Sequence, residues 1–245
     1  MNTRMALAAS WSVILTSGLL ATAANAQTAQ LTSSTANTLA AASFDRGLPT
    51  DHRFDASAHV QQGFDLIRKG KQAQAVKLFD KVIQDADQRL VGDMRPRQCS
   101  TTGAIASDSA IVDSAVCDAH FGKGYALIDM GRGDLAETEL RTAAQMAPTN
   151  AHFTNEYAEL FKSRREWQQS YDLFAHAWDV VDKNPKGADA GVAARALRGM
   201  GYNKIELGQY EEAERLFKQS QIYDPTSTVA SGELEYIARK KAIGA

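Results

Sequence analysis

The stretch that decides the fold runs from Ala194 to Ser227 and reads ARALRGMGYNKIELGQYEEAERLFKQSQIYDPTS. Apolar side chains recur every three or four residues on both sides of Leu207-Gly208-Gln209, which predicts two amphipathic helices joined by a short turn. The small residues Gly201 and Ala213 allow the two helix axes to approach closely, and Phe217 is large enough to fill the space beside them. One such pair cannot bury its apolar face alone, so further copies are expected.

The same pattern occurs three more times in the chain. Residues 117–150 form a second 34-residue unit. In it, the small residues and the proline correspond one by one: Gly124, Gly131, Ala136 and Pro148 stand where the first unit has Gly201, Gly208, Ala213 and Pro225. Residues 56–89 and 151–184 also fit, although Arg165 replaces the turn glycine in the latter. A fixed period of this length indicates helix pairs that stack and share a core.

These features resemble the tetratricopeptide-repeat (TPR) family, whose unit has small residues at positions 8, 20 and 27 and a proline at position 32. The matching units cover about 136 of the 219 residues that follow position 26. The resemblance implies an all-α solenoid of about four helix-turn-helix repeats within residues 51–245. A capping helix is expected at 228–242, with Val229, Leu234 and Ile237 directed inward.

The N-terminus has the features of an export signal. Arg4 precedes an apolar stretch that ends near Leu20, and the small residues Ala24-Asn25-Ala26 follow. This order is typical of a cleaved secretory signal peptide at 1–26, and the apolar stretch is too short for a membrane-spanning helix. Residues 27–50 carry few large apolar groups, which predicts a flexible segment. We therefore expect a periplasmic protein, with secretion as the alternative.

An insertion at residues 90–116 separates the first two units. Cys99 and Cys117 are the two cysteines of the chain, and an oxidising compartment favours a disulfide between them. Two free thiols are the alternative, and their spacing does not suit zinc. Ile111 and Val112 have helical spacing with the residues that follow, which suggests that the next helix extends backwards. A shorter insertion occupies residues 185–193.

The composition argues against several classes of function. The 27 basic and 29 acidic residues give a net charge of −2, and nucleic-acid binding needs a concentrated basic face. The five histidines form no metal-protease motif, and no nucleophile elbow is present. We therefore expect no enzyme activity, no cofactor and no metal; an enzyme with an unrecognised site is the alternative.

The resemblance also implies where a partner binds. In the family, the first helices of successive units line a concave groove through unit positions 2, 5, 9, 12 and 13. The predicted groove residues are Phe64, Arg68, Phe121, Tyr125, Asn155, Arg195, Arg198 and Tyr202. The same unit positions include Asp129, His152, Glu159 and Glu206. Aromatic, arginine and amide side chains are typical of protein-binding surfaces. The alternative is that the aromatic residues pack between units.

Some members of the family grip a C-terminal carboxylate with basic and asparagine residues spread over consecutive units. Arg195 stands at one such place, but Val60 and Phe64 occupy the corresponding places in the first unit. This function is therefore not carried over. The leading hypothesis is an envelope adaptor that holds a peptide or a partner helix in the groove. The alternative is a structural or self-associating scaffold that uses the convex face or the 90–116 insertion.

Overall fold

In the computed structural model, the described residues are 54–100 and 108–244. The predicted signal peptide at 1–26 and flexible segment at 27–50 lie outside these ranges. The described helices are α1 (Ala56–Arg68), α2 (Gln72–Arg89), α3 (Ser114–Asp129), α4 (Gly133–Met146), α5 (Ala151–Ser163), α6 (Trp167–Val180), α7 (Ala190–Glu206), α8 (Tyr210–Tyr223) and α9 (Thr228–Ala242). Four helix pairs followed by a single helix confirm the predicted all-α repeat fold.

The turns inside the pairs explain the repeated glycine. Gly70, Gly131 and Gly208 have φ values of 70°, 73° and 74°. This left-handed region is open to glycine and costly for residues that carry a Cβ. Arg165 takes the same place in the third pair with a φ of 64°. The turn is therefore dictated by the helix pair, and the third pair adopts it with a strained residue.

Large rings fill the space between successive pairs. The side chain of Phe79, on α2, is fully buried. A Cβ added at Gly63, on α1, would lie 2.5 Å from the Phe79 ring, and so would a Cβ added at Gly122, on α3. Phe174 has the same relation to Gly199, at 2.5 Å. Glycines on the first helix of the same pair, as at Gly63, and of the next pair, as at Gly122 and Gly199, therefore make room for these rings.

The insertion contains two short strands, where the sequence suggested a helical extension. Strand β1 (Arg97–Cys99) pairs in parallel with β2 (Ala110–Val112), and Cys99 lies opposite Val112. The backward extension of the next helix was correct for Ala115 and Val116, which lie in α3 (Ser114–Asp129). It was wrong for Ile111 and Val112, because the β1 backbone supplies hydrogen-bond partners that a local pattern does not show. Helix α3 begins at Ser114, where the Asp113 side chain accepts a hydrogen bond from the Ala115 N–H at 2.8 Å.

A disulfide joins the insertion to the repeat core. Cys99 at the end of β1 is bonded to Cys117 on α3, with 6.4 Å between their Cα atoms, and both side chains are buried. This confirms the predicted bridge. Closing a loop of this length stabilises a fold by about 3 kcal/mol on the chain-entropy model.

The final helix differs in one respect from the expectation. Ile237 is fully buried and Leu234 is half-buried, but Val229 is 60 % exposed. The N-cap explains this, because the Ser227 hydroxyl accepts a hydrogen bond from the Ala230 N–H at 3.3 Å and Ala230 is the buried residue of the first turn. Val229 therefore points away from α8.

The shorter insertion at residues 185–193 ends in a helix, because α7 begins at Ala190.

A polar network ties the first two pairs together behind the first helices. Lys123 Nζ lies 2.8 Å from Asp80 Oδ1 on α2 and 2.7 Å from Glu139 Oε1 on α4, and His120 Nδ1 lies 2.7 Å from Glu139 Oε2. Burial raises the pKa of Glu139, but the hydrogen bonds from His120 and Lys123 outweigh it, and the pKa is lowered. His120 therefore has a structural role.

Candidate functional site

The first helices of the four pairs lie beside one another and form one surface, which we call the first-helix face (α1, α3, α5 and α7). The ring centroids of Phe64 and Phe121 are 6.2 Å apart across α1 and α3. Phe121 stacks on Phe153 of α5 at 4.8 Å. Asn155 Nδ2 of α5 donates a hydrogen bond to the Val192 carbonyl of α7 at 3.1 Å. All eight predicted groove residues lie on these helices.

The part of the face on α1, α3 and the start of α5 is aromatic. Phe121 is its centre, with the ring centroids of Tyr125 at 6.4 Å and His152 at 4.9 Å. Phe121 is 7 % exposed, whereas Phe64 and Tyr125 are half-buried and His152 is exposed. Phe121 therefore mainly packs between helices, and its neighbours supply the accessible aromatic area.

The part of the face on α5 and α7 is ionic. Arg195 forms an ion pair with Glu156, and its Nε lies 3.8 Å from Glu159. Burial alone would lower the pKa of Arg195, but the charge of Glu156 outweighs it and raises the pKa. Arg198 Nη1 lies 3.0 Å from Asp224 Oδ2. Burial lowers the pKa of Arg198, and Asp224 opposes that effect. Both predicted partner-binding arginines of α7 thus already pair with carboxylates of this chain.

The remaining predicted residues differ in accessibility. The side chain of Asn155 is fully buried, so it stabilises α7 instead of reaching a partner. Arg68 is exposed and pairs with Asp65 on the same helix. Tyr202 is half-buried, with Lys162 Nζ 5.3 Å from its ring centroid and the Trp167 ring at 6.1 Å. Tyr202 therefore extends aromatic area to the far end of the face.

Three residues of the face escaped the sequence prediction. Phe153 and Glu156 lie outside the unit positions that the family uses, and Asp118 occupies position 2 of the second unit. An alignment of the units singles out Glu156, because position 6 is glycine in the second and fourth units (Gly122 and Gly199) and glutamate in the third. A carboxylate there indicates a contact that the other units lack.

Helix α3 carries the acidic side chains of Asp118 and Asp129 on either side of the aromatic residues. The pKa of Asp118 is raised by burial and by the nearby charge of Asp113. Burial also raises the pKa of Tyr125, with smaller contributions in the same direction from Asp129 and Glu156. The guanidinium of Arg195 acts on Tyr125 in the opposite direction. Because Arg195 is paired with Glu156, Asp118 and Asp129 leave the aromatic part of the face with a net acidic character.

Within residues 54–100 and 108–244, no group of three or more His, Cys, Asp or Glu side chains has an arrangement that could hold a metal ion. The helices in those ranges also include none with the length and apolar character needed to span a bilayer.

The comparisons with known proteins concern the fold. No known family profile matches the sequence, and no curated protein does. The fold is similar to Pseudomonas aeruginosa PilF, with a TM-score of 0.56, 16 % identity, and coverage of 76 % of this chain and 69 % of that one. It is similar to MamA from Desulfovibrio magneticus RS-1, with a TM-score of 0.54, 13 % identity, and coverage of 76 % and 85 %. A third similar structure is YrrB, described as a TPR protein with an unusual peptide-binding site, with a TM-score of 0.50, 14 % identity and 74 % coverage of both chains.

Proposed function

We propose that this chain, which has the tetratricopeptide-repeat fold, is a non-catalytic periplasmic adaptor that holds a peptide or a helix of a partner protein in a concave groove along its first-helix face. The observation that carries the proposal is the accessible aromatic row formed by Phe64, Tyr125 and His152 on three successive first helices. Aromatic side chains provide large contact area at low entropic cost and are enriched where proteins bind one another.

The proposed contacts differ from those expected from the sequence. Arg195 and Arg198 are engaged by Glu156 and Asp224, so they are assigned to holding the groove in shape. The contacts to the partner are assigned to Phe64, Tyr125 and Tyr202, whose rings are half-buried. YrrB, a similar fold, is described as having a peptide-binding site, which supports a binding role for this one.

A photo-crosslinking amino acid tests the groove in cells. It replaces Tyr125 on α3 in one variant and the exposed Gln145 on α4 in the control variant. We expect a discrete crosslinked partner from position 125 that is absent from position 145, and competition of that crosslink by the purified partner. Identical products from both positions, or none from position 125, would count against the groove.

The periplasmic location is tested separately. Export predicts that the protein is recovered in the periplasmic fraction and that its mature N-terminus is Gln27. N-terminal sequencing of the fractionated protein measures both. A chain that keeps residues 1–26 in the cytoplasmic fraction would overturn the assignment.

A scaffold role is the second candidate, because the insertion exposes apolar side chains. Val91 is 83 % exposed, Met94 is 94 % exposed and Ile111 is 47 % exposed. Exposed apolar clusters favour association. Light scattering over a range of concentrations measures it: a scaffold predicts growth in mass that the Val91→Ser, Met94→Ser variant loses, whereas a constant monomer mass would exclude self-association.

A further inference from the structure

We propose that the aromatic part of the first-helix face takes an extended peptide segment with two basic side chains, about 16 Å apart, on either side of an apolar one. This inference rests on the proposed function and specifies the chemistry of the partner. It concerns Phe64, Phe121, Tyr125 and His152, together with the carboxylates of Asp118 and Asp129.

Helix geometry puts the two carboxylates at opposite ends of the aromatic surface. At 100° per residue, Asp118, Tyr125 and Asp129 fall within a sector of about 40° on α3, and Phe121 lies about 60° from Asp118. The rise of about 1.5 Å per residue separates Asp118 from Asp129 by about 16 Å along the helix. The order along this face is therefore acid, ring, ring, acid.

Within residues 54–100 and 108–244, neither of these carboxylates forms an ion pair, in contrast to the arginines of the face. The charge that acts on Asp118 is another carboxylate, Asp113. Asp129 accepts a hydrogen bond of 3.3 Å from the neutral Gln72 side chain. The arginines of the face are each paired: Arg68 with Asp65, Arg195 with Glu156, and Arg198 with Asp224. A cationic partner complements this pattern, and an acidic one is repelled.

The rings favour the same partner. A lysine or arginine side chain gains from lying over the face of an aromatic ring, and Tyr125 is half-buried between the two carboxylates. In an extended chain, side chains at alternate positions point to the same face, and four residues advance about 13 Å. The segment that fits therefore has basic side chains four positions apart, whose long stems reach outward to Asp118 and Asp129, with an apolar residue midway between them over Phe121 and Tyr125.

Peptide binding to the purified full chain tests the inference. The probe is the blocked, dye-labelled pentapeptide Lys-Thr-Leu-Thr-Lys, whose two lysines and leucine share one face of an extended chain, and the comparison is the same peptide with glutamate in place of both lysines. Fluorescence anisotropy measures both affinities. We expect the lysine peptide to bind at least about tenfold more tightly, since two charge pairs and a ring contact distinguish the peptides.

Variants assign the preference to the two carboxylates. In the Asp118→Asn, Asp129→Asn variant, we expect the two affinities to come within about twofold of each other. The control is Asp172→Asn, Asp179→Asn, which removes the same charge from exposed positions on α6 and is expected to keep the preference. Circular dichroism verifies that every variant is folded. An equal loss of preference in the control would overturn the assignment.

The remaining outcomes separate this inference from the proposed function. Equal affinities for the two peptides, tighter binding of the glutamate peptide, or no binding of the lysine peptide up to about 1 mM would overturn the basic partner. If crosslinks at position 125 still form in any of these cases, the groove stands and the partner has other chemistry. If the crosslinks are absent as well, the proposed function fails together with the basic partner.

Discussion

The ion pair between α5 and α7 allows a quantitative test of how the first-helix face is held together. The Glu156 side chain is 5 % exposed and that of Arg195 is 24 % exposed. A second carboxylate, Glu159, lies 3.8 Å from Arg195 Nε. Replacing Arg195 with methionine therefore leaves a buried carboxylate without its partner, whereas replacing Glu156 with leucine leaves Arg195 next to Glu159. The two single replacements are expected to differ.

The expected magnitudes follow from this asymmetry. Removing one partner of a buried pair typically costs about 3–5 kcal/mol, and we expect Arg195→Met to cost about 3 kcal/mol. For a chain of this size that corresponds to a fall in Tm of about 6–12 °C. Glu156→Leu is expected to cost about 1–2 kcal/mol, because Glu159 still compensates the arginine. The double replacement is expected to lie within about 1 kcal/mol of the original, since no buried charge is left unpaired.

Thermal and urea unfolding of the four proteins measures this cycle. A coupling of about 2 kcal/mol or more between the two sites supports the pair as a structural contact. Hydrogen exchange adds a local measurement, because the single variants should lose protection in α5 and α7 before α1 and α2. Additive costs, or a smaller loss for Arg195→Met than for Glu156→Leu, would refute the assignment of Arg195 to the structure of the face.

Three further predictions concern the fold itself. Arg165→Gly relieves a φ of 64° and should raise the free energy of unfolding by about 0.5–1 kcal/mol in urea titration, whereas no gain would show that the turn is unstrained. Gly199→Ala places a Cβ 2.5 Å from the Phe174 ring and should lower the free energy of unfolding by about 1–3 kcal/mol. The control, Gly191→Ala in the same helix, meets no atom within 4 Å and should raise it by up to about 1 kcal/mol. The pKa of Glu139 is lowered in the folded state, so its stabilising contribution is present above its unfolded pKa and is lost as the pH falls below about 5. Glu139→Gln should cost about 1–3 kcal/mol of stability at pH 7 and should reduce the loss of stability that acid causes. An unchanged dependence of stability on pH would contradict the network.

The helix pairs were accessible to sequence reasoning because their causes are local. A left-handed turn favours glycine at Gly70, Gly131 and Gly208, and small residues such as Gly201 are needed where a ring approaches, as Phe217 does. Each requirement is met within one unit of 34 residues, so the repeat itself reveals it. The disulfide was also predictable, because the chain has two cysteines.

The insertion and the final helix were harder to predict from the sequence. The strand in the insertion depends on a partner elsewhere in the chain, and the buried side of the final helix depends on how its cap rotates it. Val112 has the spacing of a helical residue, but it pairs with Cys99. The hydrogen bonds of a strand depend on a neighbour that a local sequence window does not include. Val229 is apolar and lies in a helix, yet the cap at Ser227 sets a rotation that leaves it exposed.

The sequence by itself determined that the chain is a repeat of helix pairs, which helices come first in each pair, and which residue types lie on them, because these depend on short-range spacing and on steric size. The tertiary structure decided which of those side chains remain accessible. Arg195 and Asn155 lie at predicted binding positions, but the stacking of α5 on α7 commits the first to Glu156 and buries the second. The balance of charge between neighbouring helices depends on distances across the stack, and a one-dimensional pattern does not contain those distances.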